Sequence, residues 1–264
     1  MDRKSIEVRV ASSLPATPPG AERMAECAQD VADIRLGNAG AGSPRTMASA
    51  LADAILADIV TGALPPGSKL KIRGLADRYC AGVIPVREAV SRLATSGLVE
   101  AEDQRGFRVT QVSLQDLEDV TSARQRIESE ALRRAIENTG LEWEGAVIAA
   151  WHQVNSLPVF VGEIPRMNPA WEQAHHTFHV TLLACCRSDW LRRFAATLQN
   201  HTARYWHLLL RDGHAGHSPL AQEHEDIVKA VLLRDADRAC ALLRDHLATP
   251  LRLMRKRAAG LWCK

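Results

Sequence analysis

The sequence predicts a mainly α-helical protein in two parts, of which the first contains a short β-hairpin. Three short helical patterns followed by two β-prone runs occupy residues 47–112. Helical patterns alone then follow from Ser113 to about residue 257. Of the 264 residues, 46% are hydrophobic and 24% are charged, which is the composition of a globular protein with a sizeable core.

Composition argues against several classes of protein. No apolar run approaches the roughly 18 residues that span a bilayer. The N-terminal stretch lacks the apolar segment of a secretory signal, so we expect a cytoplasmic protein with no membrane partner. A net charge of +2 does not by itself indicate nucleic-acid binding. The six cysteines form no CxxC pair, which predicts thiols in a reducing compartment.

Two tails and two domains are expected. Residues 1–46 are rich in Ala, Pro, Gly and Ser and have little apolar periodicity, which predicts a mostly disordered tail. We place one domain at residues 47–112 and a second at residues 113–257. Residues 258–264 are expected to form a short C-terminal tail.

The first domain has the layout of a winged helix-turn-helix. A first helix begins at Met47, a second is centred on Leu75, and a third runs from Pro85 to a stop at Gly97. Two β-prone runs at 98–101 and 107–112 are joined by a polar turn and form the hairpin. The third helix is short enough to enter a DNA major groove, about 12 Å wide. Double-stranded DNA is therefore the expected partner.

Three arginines are candidate DNA contacts. Arg87 lies in the first turn of the third helix, Arg105 lies at the hairpin tip, and Arg73 lies in the second helix. The alternative is that all three are ordinary solvated side chains, with Arg87 paired to Glu88 or Glu100.

Helices alone are expected in the second domain. Ser113 and Asp116 resemble a capping box that opens the first helix. Further helical patterns cover about 141–156, 167–187, 188–211, 217–233 and 235–257, and Pro250 should kink or end the last. No strand pattern follows the hairpin. Arg124 falls on the inward face, where its guanidinium needs a partner, either Glu128 or a ligand carboxylate. Trp151, Trp171, Trp190 and Trp206 are interpreted as core aromatics.

The stretch "AHHTFH" at residues 174–179 contains three histidines. Residues four apart share a helix face, so His175 and His179 form a pair and His176 points elsewhere. His224 and His246 lie on apolar faces of later helices. Four buried imidazoles from three helices could satisfy each other through a cation. The alternative is that backbone groups and water satisfy them.

The stretches "ILADIVTGALPPGSKLKIRGLADRY" and "PVREAVSRLATSGLVE" resemble the DNA-binding domain of GntR-type bacterial regulators. The helical half resembles the ligand-sensing domain of the FCD subfamily, and the match runs from about Ala50 to His246. "WEQAH..FH" is most similar to regulators of carbon-starvation and aminobutyrate or glutarate metabolism. One departure is Gly82-Val83-Ile84, where the family usually has a Ser/Thr-Arg-Thr run.

The resemblance implies a metal site made of an Asp-x-x-x-His pair and single histidines on two later helices. His179, His224 and His246 match the histidine positions, and His175 stands in place of the aspartate. The alternative is that His175 does not coordinate and that water or the ligand takes its place. Four neutral imidazoles would favour a divalent transition metal, with zinc or nickel expected, over magnesium or calcium.

These observations predict a homodimeric transcription regulator that reads two half-sites. We expect it to act as a repressor. A small carboxylate effector bound at the metal and at Arg124 would control its affinity for operator DNA. One alternative is a metal-dependent enzyme, although neither HExxH nor GxSxG is present. Another is a regulator whose metal is purely structural.

Overall fold

A computed structural model describes residues 46–102, 106–162, 166–210 and 220–258. The fold is mainly helical, as predicted, with a small sheet in the first part of the chain. The two expected tails lie outside the described residues, except at their inner ends. Thr46 caps the first helix, and Ala258 is the last residue of the last helix.

Within residues 46–102 and 106–112, three helices and three short strands form the N-terminal part. The helices are α1 (Met47–Val60), α2 (Ile72–Arg78) and α3 (Val83–Thr95), and the strands are β1 (Lys69–Leu70), β2 (Val99–Glu102) and β3 (Gly106–Val109). The sheet order is β1-β3-β2, and both pairings are antiparallel. The predicted hairpin is confirmed. Strand β1 was not predicted, because two residues are too few to show an alternating pattern.

The core of this part is formed by the apolar stripes of α1 and α3. Ile55 and Ile59 of α1 and Val86 and Val90 of α3 are almost completely buried. Their spacing of four residues puts each pair on one helix face, as the sequence predicted. The opposite face of α3 is consequently left on the surface.

The C-terminal part is a bundle of seven helices in the described residues. They are α4 (Leu114–Glu137), α5 (Leu141–Asn155), α6 (Pro169–Leu182), α7 (Asp189–Leu210), α8 (Leu220–Leu232), α9 (Ala236–Leu247) and α10 (Thr249–Ala258). Helix α4 packs against both α7 and α9, so it lies at the centre of the bundle. Its buried residues extend along the whole 24-residue helix.

Two expectations about this part are corrected. Trp190 is 67% exposed, so its interpretation as a core aromatic is wrong. Strands β4 (Phe160–Val161) and β5 (Arg166–Met167) pair antiparallel, so the expectation that no strand follows the hairpin is wrong. Each strand has only two residues, too few for a recognisable pattern. The last predicted helix is divided into α9 and α10 next to Pro250, which agrees with the expected break, and Pro250 lies in the first turn of α10. Proline is accepted there because the first helical N–H groups have no intrahelical partner.

The start of α4 follows the predicted cap only in part. The Ser113 hydroxyl accepts a hydrogen bond from the Asp116 backbone N–H at 3.0 Å. The Asp116 carboxylate does not reach back to Ser113, however, because it accepts a hydrogen bond from the Tyr205 hydroxyl of α7. The reciprocal half of the capping box is therefore wrong, and Asp116 joins α4 to α7.

Cysteine chemistry also departs from expectation at one position. Cys185, Cys186 and Cys240 carry free thiols, as predicted. The sulfur of Cys80 is disulfide-bonded, so the expectation of thiols throughout is wrong there.

Candidate metal centre and adjoining cavity

Helix α6 presents the histidine pair. Asn168 caps its first turn by accepting a hydrogen bond from the Ala170 N–H at 3.0 Å, and Pro169 occupies the first helical position. Trp171 stacks on His175 with ring centroids 4.6 Å apart and an interplanar angle of 14°. This stacking fixes the plane of the imidazole, a role that the sequence did not reveal for Trp171.

Four imidazoles from α6, α8 and α9 converge, namely those of His175, His179, His224 and His246. Each offers one nitrogen, and the four nitrogens lie within 4.8 Å of one another. His179 Nε2 is 3.2 Å from His175 Nε2 and 3.1 Å from His246 Nε2. His175 is half-buried and the other three are buried. His176 is exposed and does not join the cluster, as the helical geometry predicts.

Burial keeps three of these rings neutral. It lowers the pKa of His175, His179 and His224 well below the ordinary value, because a charged imidazolium loses solvation in the interior. Repulsion from neighbouring imidazoles acts in the same direction, and Arg124 adds to it for His175 and His179. Neutral rings present lone pairs, which is the form that binds a metal ion.

A carboxylate orients one of the rings. His246 Nδ1 lies 2.8 Å from Glu223 Oε2, and the Thr249 hydroxyl donates to the same carboxylate at 3.2 Å. Arg252 approaches Glu223 at 3.4 Å. A proton held on Nδ1 by the carboxylate leaves the Nε2 lone pair of His246 pointing at the cluster, the usual support for a metal-bound histidine.

Hydrogen bonds within the described residues do not satisfy the cluster. A single proton on His179 Nε2 cannot serve both neighbouring Nε2 atoms. His224 Nε2 and His179 Nδ1 are buried and have no partner among the described residues. Tetrahedral coordination at Zn–N distances of about 2.05 Å would place nitrogens roughly 3.3 Å apart. The short Nε2–Nε2 distances of 3.1 and 3.2 Å approach this spacing, so the donor set fits a cation.

Arg124 has the partner that the simpler interpretation predicted. Its Nε donates to Glu128 Oε1 at 2.6 Å, and its Nη2 lies 3.4 Å from Oε2. The Arg124 and Glu128 side chains are only 8% and 1% exposed. Gln199 adds a contact to Glu128 at 3.4 Å. Arg124 nonetheless also lines the cavity described next.

A cavity of about 340 Å³ adjoins the cluster. His175, His179 and Arg124 face it, whereas His224 and His246 are not part of its lining. Helices α6 and α7 supply most of the remaining wall, with Trp171 and Trp206 among the lining side chains. Helix α1 of the N-terminal part also contributes to the lining. The sequence gives no signal for this last contribution, because α1 is separated from α6 by more than a hundred residues.

The exposed surface of α3 carries both a cation and apolar groups. Arg87 is exposed, and Glu88 pairs instead with Arg92 at 2.5 Å. Ile84 is 81% exposed and Val83 is 43% exposed at the start of the same helix. Arg73 is exposed on α2. Arg105 lies outside the described residues.

Two family models match the chain. The model for bacterial regulatory proteins of the gntR family matches residues 47–109, and the FCD domain model matches residues 119–249. The uncharacterized HTH-type transcriptional regulator BphR of Paraburkholderia xenovorans is 35% identical over 213 residues, which cover 80% of this chain and 86% of that protein. The chain belongs to the GntR family of transcriptional regulators and has an FCD domain.

Other comparisons agree with this assignment. The HTH-type transcriptional repressor GlaR of Escherichia coli is 35% identical over 206 residues, covering 77% of this chain and 93% of GlaR. The solved structure of E. coli McbR/YncC shares the fold with a TM-score of 0.67 at 16% identity, covering 81% of this chain and 99% of McbR/YncC. The families and relatives are regulators, so this GntR protein is not an enzyme.

GntR regulators bind operator DNA, commonly as dimers. No helix in the described part of this regulator is long and apolar enough to cross a membrane.

Helix α7 connects the bundle to the DNA-binding part of this GntR regulator. His201 Nε2 lies 2.7 Å from the Ser96 carbonyl oxygen, just after α3. Arg204 is 1% exposed and donates to the Thr110 carbonyl at 3.2 Å, just after β3. Polar residues at these positions give no sequence signal of their own, since their partners lie about a hundred residues earlier.

Proposed function

We propose that this regulator is a repressor whose affinity for operator DNA is controlled by a small organic acid bound at a metal ion in the FCD domain. The convergence of four imidazoles beside a cavity is the observation that carries this proposal. The repressor assignment is supported by the similarity to GlaR.

The proposed ligands of the metal are His175, His179, His224 and His246, and the proposed ion is zinc or nickel. Imidazole nitrogens suit these borderline metals, whereas magnesium and calcium prefer oxygen ligands. The chemistry that the ion would supply is the polarisation and binding of a carboxylate oxygen. Because His175 and His179 face the cavity, a small molecule could reach an ion held there, which favours an effector site over a purely structural metal.

Arg124 is the proposed second contact for the effector. Its Nε and Nη2 are held by Glu128, and this pairing fixes the guanidinium against the cavity. Nη1 makes no hydrogen bond to the described residues, so it is available to donate to a carboxylate. The buried Gln199 Oε1 is also without a partner in the described part of the chain and offers an acceptor in the same lining.

The proposed DNA contacts are Arg87, Arg73 and Arg105, presented by a homodimer to two half-sites. Helix α3 would enter the major groove with Arg87 reading guanine edges, the commonest specific arginine contact. Ile84 projects from the same end of α3, and an exposed aliphatic side chain there suits the methyl group of thymine. Thymine contact would replace the polar readout of the family's usual Ser/Thr-Arg-Thr run.

The DNA assignment is tested with an operator selected from random sequence. Arg87→Ala should weaken binding about 10- to 100-fold, the size of one lost bidentate contact, and leave the fold intact. Arg134→Ala, an exposed arginine of the bundle, serves as the control. Undiminished affinity of Arg87→Ala in a gel-shift titration would overturn this role.

Metal analysis tests the effector site. The purified full chain should contain about one equivalent of zinc or nickel, and His224→Ala should lose most of it. Thermal-shift screening of the loaded protein with small mono- and dicarboxylates should reveal stabilisation that His179→Ala abolishes. A protein that binds no metal and shows no carboxylate shift would refute the proposed function.

A further inference from the structure

The wall of the cavity belongs to both parts of the molecule. His175, His179 and Arg124 come from the FCD domain, whereas Leu56 and Val60 come from α1 of the DNA-binding domain. Ala57 of α1 and Thr61, which follows α1 directly, are also part of the lining, and α1 packs against α7 across the same boundary. A molecule that fills the cavity would therefore touch both domains at once.

The cavity has the chemistry of a site for an amphiphilic acid. Its polar groups are the imidazoles, the Arg124 guanidinium and a few amide and carboxylate side chains. Much of its remaining lining is apolar, including Trp171, Trp206 and Met167 with the two aliphatic residues of α1. A largely apolar lining with a few convergent polar groups is typical of small-molecule sites, and about 340 Å³ is near the lower end of their size range, roughly 300–1,000 Å³.

We propose that the effector is a carboxylic acid with an apolar body, whose carboxylate binds at the imidazole cluster and whose body packs against α1. This inference rests on the proposed function and deepens it, since it makes the DNA-binding domain part of the effector site. Binding energy gained against α1 differs between placements of the two domains, so the ligand can favour one placement over another. Small acids without an apolar body would bind at the cluster without this coupling.

The test compares two acids and two substitutions in the zinc-loaded full chain. Acetate carries only the carboxylate end, and hexanoate adds an aliphatic body. Ala57→Phe places a bulky ring in the α1 wall at an exposed position. Ala50→Phe introduces the same ring two turns earlier on α1, at a half-buried position outside the lining, and is the control. Isothermal titration calorimetry gives the dissociation constant of each acid for each protein.

Hexanoate should bind the unmodified protein and Ala50→Phe at least tenfold more tightly than acetate. In Ala57→Phe this advantage should fall to less than threefold, while acetate binding stays unchanged. Should Ala57→Phe fail to fold, Val60→Ala, which removes apolar wall, should reduce the hexanoate advantage and spare acetate. Hexanoate should protect α1 from amide hydrogen exchange in the unmodified protein and in Ala50→Phe, which bind it more tightly than acetate. It should not protect α1 in a folded variant that has lost this preference.

The outcomes separate this inference from the proposed function. Binding of both acids with equal affinity, or a hexanoate advantage that survives Ala57→Phe and Val60→Ala, would refute the role of α1 and leave the metal-bound carboxylate intact. Binding of neither acid to the unmodified protein, with zinc present, would refute both.

Discussion

At the scale of single residues, the geometry of the cluster depends on Glu223. Its carboxylate lies 2.8 Å from His246 Nδ1 and holds the proton on that nitrogen. In Glu223→Gln the amide lacks the negative charge that strengthens this contact. We expect zinc affinity to fall about 10- to 100-fold, the usual cost of losing such a carboxylate partner. A competition titration against a coloured zinc chelator measures the change.

A neighbouring glutamate on α8 provides the control for this prediction. Glu225 pairs with Lys229 at the surface, 2.7 Å away, and takes no part in the cluster. Glu225→Gln should therefore keep the zinc affinity of the unmodified protein. Equal affinities for the two variants would show that Glu223 does not orient a metal ligand.

The Arg124–Glu128 pair makes a second prediction at this scale. Removing one partner of a buried ion pair leaves the other charge uncompensated, at a cost of roughly 3–5 kcal/mol. With Glu128 only 1% exposed, Arg124→Ala should lower the free energy of unfolding by about 3 kcal/mol. Urea denaturation of the metal-free protein measures this loss without any contribution from the ion.

Arg134→Ala is the matched comparison for Arg124→Ala. Arg134 forms the same i,i+4 pair with Glu130 on α4, but both side chains are close to half exposed. Solvent screens such pairs, so little stability should be lost. A similar small loss for Arg124→Ala would mean that the charge of Glu128 is compensated by another group.

Because the alanine variant is destabilised, the effector role of Arg124 is better tested with Arg124→Lys, which keeps the charge but not the fork of donors.

At the scale of secondary-structure elements, α7 contacts both the cavity and the DNA-binding part. Gln199, Thr202 and Trp206 line the cavity, whereas His201 and Arg204 contact the DNA-binding part. A shift of α7 caused by a ligand would therefore reach the turn after α3 and the end of β3 directly. The same helix is fixed to α4 through the Tyr205 hydroxyl, which limits how it can move.

The contact made by His201 predicts a pH dependence. Burial lowers the pKa of His201, and Arg204 acts in the same direction, whereas the hydrogen bond to the Ser96 carbonyl and the Asp116 charge raise it. A lowered pKa in the folded state means that the stabilising contribution is present above the unfolded value, about 6.5. It is lost as pH falls from that value through the folded pKa.

His201→Gln isolates this contribution from the other histidines. Its amide can donate to the Ser96 carbonyl and accept from Arg204 at any pH, since it does not titrate. The stability advantage of the unmodified protein over His201→Gln should therefore shrink between pH 7.5 and pH 5.5. A difference in unfolding free energy that is constant over this range would contradict the proposed cause.

Helical periodicity explains which features of the elements could be predicted. It placed His175 and His179 on one face and His176 on another, and it located the apolar stripes of α1 and α3. It could not show that Glu223 reaches His246 or that α1 lines the cavity, because those contacts depend on how helices pack. Strands β4 and β5 escaped prediction because two residues contain no period.

At the scale of the whole molecule, the proposed metal joins helices that are distant in sequence. Its candidate ligands lie on α6, α8 and α9, so a bound ion would link three helices of the bundle. Helix α7 in turn packs on α1 and contacts the chain after β3, which connects the bundle to the DNA-binding part. A bound ion should therefore raise the free energy of unfolding of both the bundle and the DNA-binding part.

This connection predicts the effect of metal removal on unfolding. An ion that binds only the folded state stabilises it by about 4 kcal/mol when its free concentration is 1,000 times its dissociation constant. Chelated full-length protein should unfold at a lower temperature than protein reloaded with zinc, and probes in both domains should report the same midpoint.

Two histidine variants test where the ion binds. His224→Ala should lose the zinc-dependent shift, because the buried Nε2 of His224 has no other partner among the described residues. His176→Ala should keep the shift, since this histidine lies outside the cluster although it is next to His175 in the chain. A shift confined to probes in the bundle would show that the two domains unfold independently, and a shift that survives His224→Ala would place the ion elsewhere.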